Sequence, residues 1–62
     1  MITMIMARIG ANLTQQQLAD ALGVHVQTYQ RMEKHPEDIS IKHANDFARI
    51  VGVPLKNINF LP

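Results

Sequence analysis

The stretch TQQQLADALGVHVQTYQRMEK, Thr14 to Lys34, decides how this chain is read. Thr14 is followed three residues later by Gln17, the spacing of a capping box. In that arrangement the threonine hydroxyl accepts from the Gln17 amide, and the Gln17 side chain reaches back. Leu18, Ala19 and Leu22 then share one helical face. Gly23 supplies the positive-φ stop that a tight exit needs. A helix over about Gln15–Leu22 is therefore expected, with the chain turning at Gly23. Tyr29 and Met32 lie three apart on one face of a second helical segment that runs to Lys34. Its opposite side carries Gln27, Gln30, Arg31 and Lys34. Gln27 and Gln30 both donate and accept hydrogen bonds, and Arg31 and Lys34 only donate, an unusual choice for a face that only needs solvation.

Working outward, Ile2 to Ile9 is apolar apart from Thr3 and Arg8, and Ile2, Ile5, Met6 and Ile9 match a helical face. A short first helix is expected there, with apolar surface to spare. On the other side, His35-Pro36-Glu37-Asp38 reads as a loop. Ser40 can cap a helix over Ile41–Val51, where Ile41, Ala44, Phe47, Ala48 and Val51 give an amphipathic pattern that Gly52 ends. Pro54 fits the first turn of a fifth, short helix, with Leu55, Ile58 and Phe60 available to the core. The expected fold is all-α. It is a compact bundle of four to five short helices without a sheet, forming one domain over residues 1–62.

Composition narrows the function. No Gly/Ser linker, repeat or low-complexity tract divides the 62 residues. With 47% hydrophobic and 18% charged residues the chain is not of disordered type. The absence of cysteine excludes disulfides, iron–sulfur clusters and thiolate zinc. The three histidines, His25, His35 and His43, lack metal-ligand spacing, so neither a metal nor a cofactor is expected. No apolar run approaches a membrane span, and the apolar start has no basic flank, so a signal peptide is not expected and the cytoplasm is the default compartment. No nucleophile–base motif or phosphate loop occurs, and the chain is short for a substrate pocket, so an enzyme is not expected. The formal net charge is only +1. For a nucleic-acid partner, the placement of positive charge then matters more than its sum.

Two helices joined at Gly23, with Leu18 and Leu22 placed to meet Val24, Tyr29 and Met32, form the pattern of a helix-turn-helix. The small Ala19 permits a close crossing, and the first helix can hold the second at the angle at which it enters a major groove. The residues Arg8, Leu13-Thr14-Gln15, Leu18-Ala19, Leu22-Gly23-Val24, Tyr29, Met32-Glu33, Ser40, Ala44, Ala48 and Val51-Gly52-Val53 resemble the phage Cro and repressor family, the xenobiotic-response-element type of bacterial regulator. The resemblance covers about Met4 to Phe60. It implies a repressor-like bundle of five helices, binding to double-stranded DNA operators as a dimer, and transcriptional regulation.

The resemblance also implies roles. Gln15 matches a glutamine that contacts a phosphate and braces the recognition helix. Val26, Gln27 and Thr28 match the first exposed positions of that helix and face base edges, with Gln30 and Arg31 further along. Gln27 suits bidentate bonding to adenine, and Val26 and the Thr28 methyl suit a thymine methyl. Arg31 suits either guanine or a phosphate. Lys34 and His35 are expected at the DNA backbone, and Arg8 and Glu33 match an ion pair tying helix 1 to helix 3. His25 stands where the family often has a capping Ser or Thr, and Tyr29 stands at a buried position usually held by Val or Ile. That ring is expected either to shift the helix or to bring its hydroxyl to the surface. Glu37 and Asp38 are expected to repel DNA if they lie near its backbone. The function implied is sequence-specific DNA binding by a transcriptional regulator, with repression favoured, through residues about 26–34. The alternative is a module that binds another DNA-bound regulator. Helix 1, or helix 5 with its tail to Pro62, is the candidate surface for a twin chain or protein partner.

Overall fold

The computed structural model describes residues 1–61. Pro62, the end of one candidate dimer surface, lies outside the described residues. Four α-helices carry the fold: α1 (Met4–Gly10), α2 (Gln15–Leu22), α3 (Val26–Lys34) and α4 (Ile41–Val51). Two strands of two residues each, β1 (Ile2–Thr3) and β2 (Ile58–Asn59), pair in parallel, Ile2 against Ile58 and Thr3 against Asn59.

Helix α2 forms where its end signals place it. The Thr14 Oγ1 accepts from the Gln17 N–H at 3.0 Å, and the Thr14 N–H donates to Gln17 Oε1 at 2.8 Å. Gly23 ends the helix at φ 74°, in the left-handed region that a side chain would strain. Leu18, Ala19 and Leu22 are buried, and Ala19, fully enclosed, lets α2 and α3 cross closely. Helix α4 is capped by the Ser40 side chain, which accepts from the His43 N–H at 3.1 Å, and is stopped by Gly52 at φ 73°. It buries Ala44, Phe47 and Ala48, while Ile41, expected on that face, is exposed in the first turn. The Tyr29 and Phe47 rings stack at 6.5 Å between centroids, joining α3 to α4 at the centre of the core.

The two ends of the chain depart from the expectation. Ile2 and Thr3 are extended rather than helical, and Thr3 caps α1 by accepting from the Met6 N–H at 3.2 Å. The inward face of α1 is Met4, Ala7 and Arg8, spaced i, i+3, i+4, with half-buried Ala11 just past the helix end. Ile5, Met6 and Ile9, expected to be core, are 43%, 55% and 63% exposed. Arg8 reaches inward to Glu33 beside Met4 and Ala7, and at about 100° per residue a face centred on these three leaves Ile5 at its edge and Met6 and Ile9 on the opposite side.

At the other end there is no fifth α-helix among the described residues. Pro54 caps a 3₁₀ turn, Leu55–Asn57, from outside it, and the chain then extends into β2. The expectation of no sheet is corrected by this small pair, in which β-branched Ile2, Thr3 and Ile58 suit an extended backbone. Ile58 is buried, so β2 closes the core beneath α1. The loop after α3 also contains a 3₁₀ turn, Pro36–Asp38.

Candidate nucleic-acid interface

Helix α3 has nine residues and is polar on both sides. At about 100° per residue, Tyr29, Met32 and Glu33 lie on one side and Gln27, Gln30, Arg31 and Lys34 on the other. The inner side is held by one carboxylate. Glu33 Oε2 accepts from Arg8 Nε at 2.7 Å and from the Tyr29 hydroxyl at 2.6 Å, while Oε1 accepts from Gln15 Nε2 at 2.9 Å. The Glu33 side chain is only 5% exposed. Arg8 Nη1 also donates to the Leu13 carbonyl at 3.1 Å, fixing the turn between α1 and α2.

These contacts set the ionisation of the group. Burial pushes the Glu33 carboxyl up, but the hydrogen bonds from Arg8, Tyr29 and Gln15 outweigh it and hold the group below the ordinary glutamate value. Burial, and then its bond to Glu33, raise the Tyr29 phenol above its ordinary value. The hydrogen bond to Glu33 raises Arg8 against the opposing effect of burial. Tyr29 therefore does not bring its hydroxyl to the surface. Its ring fills the core and its hydroxyl is the third donor to Glu33. Its i, i+4 spacing from Glu33 was the signal in the sequence. The bond from Gln30 Nε2 to Gln15 Oε1, at 3.2 Å, had no such signal, since it joins residues 15 apart on two helices.

The outer side of α3 is different. Gln27, Gln30, Arg31, Lys34 and His35 line a shallow, open depression of about 500 Å³. Carboxylates engage three of the six lysine and arginine side chains: Arg8 by Glu33, and Lys42 and Arg49 by Asp46. Among the described residues Arg31, Lys34 and Lys56 have no such partner. Two of these three lie on the outer side of α3. The small net charge is thus distributed so that positive charge collects on this helix.

Some residues singled out from sequence lie elsewhere. Val26 is not an exposed position; it is half-buried and packs against the core. Thr28 is half-buried on the far flank of α3, in a second depression of about 270 Å³ shared with Met32, Ile39 and Ser40. Arg31 and His35 border both depressions. Gln15 is half-buried, with both ends of its amide engaged by protein. His35 is exposed, with Nδ1 3.4 Å from Glu37, so one acidic loop residue already faces a histidine at the helix end. His25 precedes α3 without a side-chain capping bond, leaving the first-turn amides open to solvent or to a ligand. No three His, Asp or Glu side chains converge on a possible metal site among the described residues, and no helix there is long and apolar enough to cross a membrane.

A family model described as helix-turn-helix matches residues 4–58, nearly the whole chain and all four helices. No curated protein and no solved structure matches the chain. The match spans the capping box of α2, the Gly23 turn and the Arg8–Glu33 pair together, and the chain belongs to the Cro/C1-type helix-turn-helix family of DNA-binding transcription regulators.

Proposed function

We propose that this chain is a sequence-specific reader of double-stranded DNA, a transcriptional repressor that lays α3 in the major groove and works as a homodimer. The observation that carries the reading is the outer side of α3, where Arg31 and Lys34 have no carboxylate partner among the described residues and stand beside Gln27 and Gln30. The major groove is wide enough for a helix, and its base edges bind such side chains. In this reading Gln27, Gln30 and Arg31 face base edges, with Val26 and Thr28 at the margins. Lys34 and His35 contact the backbone. Gln15 braces α3 and lies at the same edge for a phosphate.

A module of this size makes few phosphate contacts, and pairing two on a two-fold-related site raises affinity and specificity together. Ile5, Met6 and Ile9 on α1, or Leu55 and Leu61 near the C-terminus, offer exposed apolar side chains for the second copy.

The apolar outer face of α1 also supports a second reading, in which the chain binds another DNA-bound regulator. Selection from random duplexes, followed by fluorescence anisotropy at two salt concentrations, separates the two. The DNA reading expects a two-fold-related site, binding that weakens with salt, and loss of affinity in Gln27→Ala and Arg31→Ala. Equal, weak binding to selected and scrambled duplexes would favour the protein partner.

A further inference from the structure

The Glu33 network does not stop at the core. An ionised carboxylate only accepts hydrogen bonds. Glu33 therefore fixes which end of the Gln15 amide points inward: Nε2 donates to it at 2.9 Å. The Gln15 oxygen is left facing α3, and an amide oxygen only accepts. Gln30 must meet it with its nitrogen, as it does at 3.2 Å. The oxygen of Gln30 has no protein partner among the described residues, and the side chain is exposed. Turning the Gln30 amide over would bring two oxygens together. The polarity of the outer glutamine is thus set by a carboxylate two residues removed along the network.

We propose that Gln30 is a specificity-determining residue of fixed polarity, which presents its Oε1 to the amino group of a base and selects adenine or cytosine over guanine or thymine at one operator position. Adenine N6 and cytosine N4 donate in the major groove, whereas guanine O6 and N7 and thymine O4 accept. A free glutamine serves either kind of edge by rotating its amide; here one of the two Nε2 hydrogens is given to Gln15, which keeps Oε1 turned to the opposite side of the amide, where an amino group meets an acceptor. The proposal rests on the reading of α3 as the DNA-contacting helix.

The test uses the full chain and the duplex that it selects, with all four bases placed at each position and affinity read by anisotropy. The wild type should prefer an amino-bearing base at one position by about tenfold. Gln30→Ala should level the four bases there. Gln30→Lys, which carries only donors, should invert the preference to guanine or thymine at that position alone. Gln15→Ala should let the amide rotate and reduce the preference to about twofold or less there. Any further loss in Gln15→Ala should be uniform across duplexes. Circular dichroism melting confirms that each variant is folded.

A second readout needs no DNA. The side-chain amide protons of Gln30 should exchange more slowly than those of Gln27 in the wild type, and at the same rate in Gln15→Ala. A preference that survives Gln15→Ala, or equal exchange of Gln27 and Gln30 in the wild type, would overturn the proposal. If the wild type selects a site but the Gln30 variants change no base preference, the DNA reading stands and this proposal alone fails. If the wild type selects nothing, both fail.

Discussion

Both sides of α3 carry polar side chains, and the two behave in opposite ways. On the inner side, Tyr29 and Glu33 are polar but fully engaged: the carboxylate accepts from Arg8, Tyr29 and Gln15, and no buried side-chain polar atom among the described residues lacks a partner. On the outer side, Arg31 and Lys34 find no carboxylate and Gln27 forms no side-chain hydrogen bond among the described residues. The difference teaches that polarity alone does not mark an interface. What marks it is polar capacity left over on a helix whose other side is fixed, because a rigid support spares the ligand the entropy of ordering its contacts.

Breaking the inner side should have the largest effect. Glu33→Ala leaves Arg8, the Tyr29 hydroxyl and Gln15 without their acceptor and should destabilise the fold by about 3 kcal/mol or more, read by urea denaturation. A core this small rarely supplies more than about 3–5 kcal/mol, so the variant should be largely unfolded at 25 °C. The outer side should separate cleanly from it. Arg31→Ala should lower affinity for the selected duplex by about 1–3 kcal/mol while unfolding stability changes by less than about 0.5 kcal/mol. Tyr29→Phe keeps the ring stacked on Phe47 and removes one donor from Glu33, a loss of about 1.5 kcal/mol in stability.

The same pair gives stability a two-sided pH dependence. Glu33 is lowered in the fold from 4.5, so its contribution is complete above that value and is lost as pH falls through the lower folded value. Tyr29 is raised from 10.0, so its contribution is complete below that value and is lost as pH rises beyond it. Denaturation curves across pH should show both limbs, with the acid limb flattened in Glu33→Gln and the alkaline limb flattened in Tyr29→Phe. The smallest effect belongs to the N-terminal end of α3. His25→Ser supplies the missing cap of α3 and should raise stability by about 0.5–1 kcal/mol, read as a higher melting temperature.

Legibility in the sequence followed the range of the interactions. The ends of α2 and α4 were readable because Thr14 with Gln17, Gly23, Ser40 and Gly52 act within one turn of themselves. The inward face of α1 does not follow from its apolar periodicity, because Arg8 turns toward Glu33, a residue 25 positions away that only the family resemblance pairs with it. The isoleucines of the first segment suit a strand as well as a helix, and the choice falls to the extended form because Ile2 and Ile58 pair with each other across the chain. At the candidate site, the exposed set Gln27, Gln30, Arg31 and Lys34 followed from helical periodicity. The packing of half-buried Val26 against the core and the link from Gln15 to Gln30 depend on how α2 crosses α3, which no local pattern encodes.

The central claim is that α3 reads DNA with its outer side while its inner side stays locked. It is tested most directly by following ¹⁵N–¹H resonances of the chain as the selected duplex is added, with a scrambled duplex as control. The largest shifts should fall on Gln27, Gln30, Arg31 and Lys34, Tyr29 and Met32 should move little, and the scrambled duplex should give smaller shifts that vanish with salt. Largest shifts on Ile5, Met6 and Ile9 of α1, or the same response to both duplexes, would contradict it.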